Sequence, residues 1–259
     1  MSVFSPPEYL SPSSIRTFLD CPQKFKISRF DGIKEPPAWP LHLGSFTHEV
    51  LEELYKLPPD ERTTESLKAL AARMWTENEW ESKVLALEEP KGDIRQFKVE
   101  AFTNMTNLWH LEDPAETELD EMELEIDVEV DGVRMRGFID RLVITDDQSA
   151  IISDYKTGKI PNPKFKSEDE KYFQLLAYAL MLEALDGIPT ESVELLYLTQ
   201  KERHRLEVTP AKLAIATGTI VETKELLDQS CATGQFETKV SKLCDWCHYK
   251  KIGVCPAHQ

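Results

Sequence analysis

The chain has few cysteines and few glycines, five and ten in 259 residues, and no apolar run long enough to cross a bilayer. A spanning helix takes roughly 18 or more consecutive apolar residues, so no membrane partner is expected. Met1 to Leu10 lack the basic-then-apolar order of a secretory signal, and the protein is read as soluble, intracellular and cytoplasmic. The cytosol keeps thiols reduced, so five cysteines suggest a metal before they suggest disulfides. No G-x-x-x-x-G-K-S/T phosphate loop is present and the glycines offer no substitute, so any helicase motor is expected to be a separate partner. One stretch has no basic residue at all: Leu111 to Asp131 carries 11 acidic side chains. It reads as a solvated acidic face within a net charge of -16. Affinity for nucleic acid comes chiefly from Lys and Arg on phosphates, so that total argues against such a partner. Its distribution does not: Arg16, Lys24, Lys26 and Arg29 near one end, and Lys239, Lys242, Lys250 and Lys251 near the other, leave room for a local basic groove.

With 41% hydrophobic residues the chain can bury a full core. Ser11 as N-cap and Pro12 in the first turn open a helix carrying Ile15, Phe18, Leu19 and Phe25, which is expected to end soon after Cys21. A second helix is expected from about Gly44 to Lys56, stopped by Pro58 and Pro59, and two more between Thr64 and His110. Strict alternation from Glu121 to Val130 predicts a half-buried strand, with Met122, Leu124, Ile126, Val128 and Val130 on its apolar side. Asp131-Gly132 is a hairpin signal, so Val133 to Thr145 is expected to return antiparallel, and Ala150 to Lys156 forms a third strand. A helix from about Asp169 to Leu185, strands at Val193–Thr199 and Arg205–Val208, and a helix over Ala211–Ser230 complete a mixed α/β core with helices on both faces.

The chemistry gathers on the strands. Asp140 closes Gly137-Phe138-Ile139-Asp140, and Asp154 and Lys156 stand two apart in Ser153-Asp154-Tyr155-Lys156, on one face of their strand. If the strands are neighbours, two carboxylates converge beside an ammonium. Phosphodiester hydrolysis needs that set: a cation to polarise phosphate and generate hydroxide, and a lysine to position water or offset developing charge. Gln174 and Tyr178 lie on one face of the next helix. Glu123 is read as solvated strand edge. Cys244 and Cys247 have C-x2-C spacing and Cys255 follows, so three close ligands want a fourth from Cys21, Cys231, His248 or His258.

His48, Asp140, Asp154 with Lys156, and Gln174 with Tyr178 occur in the order found in the RecB-like exonuclease branch of the PD-(D/E)xK superfamily, and the chain resembles that branch, including CRISPR-associated adaptation nucleases and AddB-type domains. The resemblance implies an α/β, restriction-endonuclease-like core, a central mixed sheet flanked by helices, as a single nuclease domain over 1–259. It leaves a helical insertion at 58–115 unmatched. It further implies that His48, Asp140, Asp154 and the Tyr155 carbonyl bind Mg²⁺ or Mn²⁺, with imidazole tilting the balance toward Mn²⁺. Lys156 would act on water, and Gln174 and Tyr178 would contact substrate and support the site. Cys21-Pro22-Gln23-Lys24-Phe25 matches the context of a cysteine preceding the core in these families. The resemblance thus implies a 4Fe-4S cluster on Cys21, Cys244, Cys247 and Cys255, in a subdomain of 1–30 plus 231–259, with Cys231 free. Four thiolates suit zinc equally well by composition.

The function expected is a metal-dependent DNA exonuclease acting on single-stranded or frayed ends, in recombination, repair or DNA processing, leaving a 5′-phosphate and a 3′-hydroxyl. An endonuclease on the same fold, or a non-catalytic iron-sulfur DNA-binding or assembly subunit, are the alternatives. Lys159, Lys164, Lys166 and Arg203 are the expected phosphate contacts.

Overall fold

The computed structural model describes residues 3–258 except 165. Ser11 caps α1 (Pro12–Asp20) through a reciprocal bond with Ser14. The helix does not run on through Cys21, which is extended (φ -166°) and lets Pro22 start α2 (Pro22–Arg29). Next, α3 (Trp39–Tyr55) begins five residues earlier than its periodicity suggests. Pro40 sits in its first turn, where a missing N–H costs nothing, so the proline that looks like a breaker is tolerated. The following stretch holds three helices rather than two: α4 (Thr64–Glu77), α5 (Trp80–Leu85) and α6 (Ile94–Thr106). Glu79, left-handed at φ +52°, divides the first pair.

The sheet order is β1-β2-β3-β4-β5, with β1 (Glu121–Val130), β2 (Val133–Ile144), β3 (Ala150–Lys156), β4 (Thr190–Tyr197) and β5 (Glu202–Glu207). Only β3 and β4 are parallel, joined across one face by α7 (Glu168–Asp186), whose first turn is closed by a capping box on Ser167. The chain ends with α8 (Pro210–Thr233), capped by Gly234 at φ +74°, and a short α9 (His248–Lys251). This is the mixed, helix-flanked sheet expected.

Two cores sandwich the sheet. On one side α1, α7 and α8 cover Ile126, Met135, Ile139, Ile152 and Val193; on the other, α3 to α6 bring Phe46, Leu51, Trp75, Trp80 and Phe97 against Tyr155, Leu196 and Leu198. The helical stretch after α3 therefore supplies one wall of the core. No helix among the described residues is long and apolar enough to cross a membrane.

Candidate active site

The five strands place a row of acids where the ladder opens. Pairing of β2 with β3 runs from Ile144↔Ala150 to Arg141↔Ser153, so Asp140 and Asp154 stand next in register, just beyond the last pair. Between β1 and β2 the pairs Met122↔Arg141 and Leu124↔Ile139 skip one step, and the residues left opposite each other are Glu123 and Asp140. Here the alternation of both strands slips. Leu124, Ile126 and Val128 pack on the α7 side, but Met122 packs with the α3 cluster. On β2, Val133, Met135 and Ile139 face α7, Arg141 lies over Tyr55 and Tyr155, and Leu142 returns to the α7 side. Glu123 takes φ +50°, a left-handed conformation that costs a non-glycine residue roughly 1–2 kcal/mol. The slip turns Glu123 into the cleft with Asp140, so it is not solvated edge.

His48, from the middle of α3, closes the site. Its Nε2 lies 2.9 Å from the Tyr155 carbonyl oxygen, its Nδ1 is 3.4 Å from Asp140, and Asp154 is 4.0 Å away. Ligand atoms of His48, Asp140 and Asp154 all lie within 4.8 Å of one another, and Lys156 forms an ion pair with Asp154. The cleft around them holds about 700 Å³ and is also lined by Glu49, Glu52, Glu123, Phe138 and Gln174. Two carboxylates, an imidazole and a peptide carbonyl make a donor set that suits Mg²⁺ or Mn²⁺.

Electrostatically the two aspartates diverge. Burial, then the neighbouring charge of Asp154, pushes Asp140 well above the usual carboxylate range. Burial also opposes the charge on Asp154, but Lys156, a hydrogen bond from Asp140 and His48 hold it below that range. Glu123 is raised by burial, with Glu52 and Asp154 adding to the effect.

Of the remaining expected residues, Gln174 lines the cleft and its amide donates to the Tyr178 hydroxyl at 3.3 Å. Tyr178 is buried behind β2, its ring so close to Gly137 that a Cβ there would lie 2.7 Å from Cε1. Burial pushes its hydroxyl up to about 12. Arg203 is committed elsewhere, to Glu112 and Glu194 at 2.8 and 3.2 Å. The Glu112 side chain is only 8% exposed, held against Arg141 at 2.6 Å and the Tyr55 hydroxyl, so the acidic run is not solvated throughout. Sequence reading passed over Glu49 and Glu52, although both sit within a helical turn of His48.

Away from this cleft, Cys21, Cys244, Cys247 and Cys255 line one cavity of about 260 Å³ with Asp20, Lys24 and Trp246. Segments far apart in sequence meet beside it: the Gln23 backbone amide donates to the Glu237 carbonyl at 3.0 Å, and the Lys239 ammonium to that of Leu19 at 2.9 Å. Cys231 is buried in the α7-side core, apart from the other four.

Comparison with known proteins agrees with this architecture. The Gene 69 protein of Mycobacterium phage D29 is 28% identical over 204 residues, covering 69% of this chain and 70% of the phage protein. The crystal structure of a Eubacterium rectale protein named "Putative exonuclease" superposes with a TM-score of 0.61 at 14% identity, covering 93% of this chain and 88% of the other, a likeness of fold. The sequence profile of the PD-(D/E)XK nuclease superfamily matches residues 9–256, nearly the whole chain, and the protein belongs to that superfamily.

Proposed function

We propose that the protein is a divalent-metal-dependent DNA exonuclease of the RecB-like branch, hydrolysing phosphodiester bonds at single-stranded or frayed ends during recombination, repair or DNA processing. One observation carries the reading: His48, Asp140 and Asp154 bring a mixed nitrogen and oxygen donor set within 4.8 Å, with Lys156 on the same aspartate. His48, Asp140, Asp154 and the Tyr155 carbonyl would hold the cation. When bound, it supplies Lewis-acid polarisation of a phosphoryl oxygen and a nucleophilic hydroxide at neutral pH. Lys156 orients the attacking water and balances charge developing on phosphate, while Asp154 holds its ammonium in place. Gln174 reaches the substrate side of the cleft, and Tyr178 anchors Gln174 and braces β2. Attack on phosphorus breaks the bond to the 3′-oxygen, leaving a 3′-hydroxyl and a 5′-phosphate.

The chain acts as one nuclease unit over 1–259, with 58–115 as a helical insertion. Residues 1–30 and 231–259 form a lobe that carries a 4Fe-4S cluster on Cys21, Cys244, Cys247 and Cys255. What supports this placement is that the four cysteines line one cavity while Cys231 lies apart from it. Joining residues so distant in sequence, the cluster would stabilise the fold. A cytoplasmic setting, and a separate helicase or recombination partner, fit this reading.

Asp154→Ala and Lys156→Ala should each abolish turnover of end-labelled DNA in Mg²⁺ or Mn²⁺ without unfolding the protein; full activity in either removes the assignment. A linear substrate should be degraded and its closed circular form spared, whereas cleavage of both makes the protein an endonuclease. Anaerobically purified protein should be brown and lose its colour on Cys21→Ser but not on Cys231→Ser. A colourless preparation with stoichiometric zinc overturns the cluster and leaves the nuclease standing.

A further inference from the structure

The catalytic cleft is not uniformly polar. Phe138, two residues before Asp140, lines it and is 46% exposed; Leu41, in the first turn of α3, lines it at 62%. The sheet and the helix thus each present one large apolar side chain to a space that five acids also line. Single exposed apolar residues need no explanation. Phe138 is different because the strand beneath it is held: it pairs with Glu125 across the ladder, and the ring of Tyr178, whose hydroxyl accepts from Gln174, fills the space left by the missing Cβ of the adjoining Gly137. A rigid strand therefore holds an aromatic ring in contact with water at the mouth of the site.

We propose that Phe138, assisted by Leu41, stacks on an unpaired nucleobase of the substrate strand beside the carboxylates, and so selects single-stranded over paired DNA. The inference rests on the nuclease reading and adds the feature of the substrate that the site recognises. A base inside a duplex has both faces covered by its neighbours, so a ring offered by the protein can stack only on one that is free. Stacking suits this cleft for a second reason. Phosphates meet five carboxylates and one lysine among the lining residues, so charge alone attracts them poorly, whereas a base is neutral. Base–aromatic contacts are typically worth about 1–3 kcal/mol per base and tolerate any sequence.

The test compares fluorescence anisotropy of a labelled single-stranded oligonucleotide and a blunt duplex, with Ca²⁺ present, for wild type, Phe138→Ala and Phe138→Trp. Phe138→Ala should weaken single-strand binding about 5- to 150-fold and duplex binding much less, with Phe138→Trp close to wild type. Scanning an abasic residue along the end of the oligonucleotide should find one position that costs wild type the same factor and costs Phe138→Ala nothing more. Equal losses on both DNAs, or an abasic penalty undiminished in Phe138→Ala, overturn the proposal. Cleavage is scored separately in Mg²⁺ and Mn²⁺: a wild type that binds but never cleaves refutes the nuclease reading, and the anisotropy still decides the role of Phe138.

Discussion

Removing the Arg141 guanidinium should damage both the fold and the proposed metal site. Arg141 and Asp140 are adjacent on β2, as are Tyr155 and Asp154 on β3, and at each position one side chain enters the cleft while its neighbour lies behind it. The Arg141 guanidinium is 4.8 Å from the Tyr155 ring centroid and 5.4 Å from that of Tyr55, and it donates to Glu112 at 2.6 Å. The two charged side chains are 3% and 8% exposed, so this is a buried pair. Breaking such a pair typically costs about 3–5 kcal/mol because it leaves a charge uncompensated. In Arg141→Met, Glu112 keeps Arg203 and the Tyr55 hydroxyl, so the cost should fall near the lower end, about 3 kcal/mol. For a chain of this size that corresponds to a fall in Tm of about 6–12 °C. Arg141→Met combined with Glu112→Leu should cost less than the sum of the two single changes by at least about 1 kcal/mol, since no charge is then stranded. Mn²⁺ titration followed by calorimetry should show weaker binding in Arg141→Met at temperatures where the variant is fully folded, because the braced residues adjoin both aspartates. Additive losses in the cycle, or unchanged Mn²⁺ affinity, would refute the coupling of this network to the site.

Gly137→Ala should cost about 1–3 kcal/mol, because its Cβ would meet the Tyr178 ring at 2.7 Å in a packed core; Tyr178→Leu in the same chain should recover part of that loss in thermal melts. Asp140 and Glu123, both raised mainly by burial, hold protons in the folded state that they lose when unfolded, so metal-free stability should fall as pH rises from about 4 through their folded values. Melts of the chelated protein across that range should flatten in Asp140→Asn with Glu123→Gln, and superimposable slopes would remove those groups as the cause.

Much of this was legible in the sequence because the signals are local. Alternation gave β1, Asp131-Gly132 gave the hairpin, and Asp-x-Lys on a strand gave the pairing of Asp154 with Lys156. The start of α3 lies five residues before the expected Gly44 because its first turn, with Pro40 in it, adds little to the apolar spacing from Phe46 onward that marks the helix. Glu123 was misjudged for a tertiary reason. Its neighbours alternate without a flaw in sequence, and the slip in phase at Met122–Leu124 is one that β1 shares with the strand opposite, at Asp140. Glu112 looked solvated among its acidic neighbours because its partners, Tyr55, Arg141 and Arg203, come from three distant elements. Both acids have environments set by residues distant in sequence rather than by their neighbours along the chain.

That arrangement bears on how an acidic protein could hold a polyanion. The cleft lining carries Glu49, Glu52, Glu123, Asp140 and Asp154 against Lys156, so without a cation it presents excess negative charge to a phosphate. Glu52 is offset by Lys56 at 2.8 Å, and Glu49 accepts from the Trp80 indole at 2.9 Å without being neutralised. A divalent ion would therefore have two tasks, the chemistry and the removal of a repulsion that precedes it. Binding of single-stranded DNA should accordingly tighten at least tenfold, about 1.4 kcal/mol, when Ca²⁺ is added to chelated protein. Salt separates the two states by sign. Screening should relieve repulsion in the chelated protein, leaving its residual affinity flat or improved as salt rises, while the metal-loaded protein loses affinity as phosphate contacts are screened. Equal affinity with and without the ion, or parallel salt slopes, would mean that the strand is held by basic residues outside the cleft and that its acids play no part in admitting DNA.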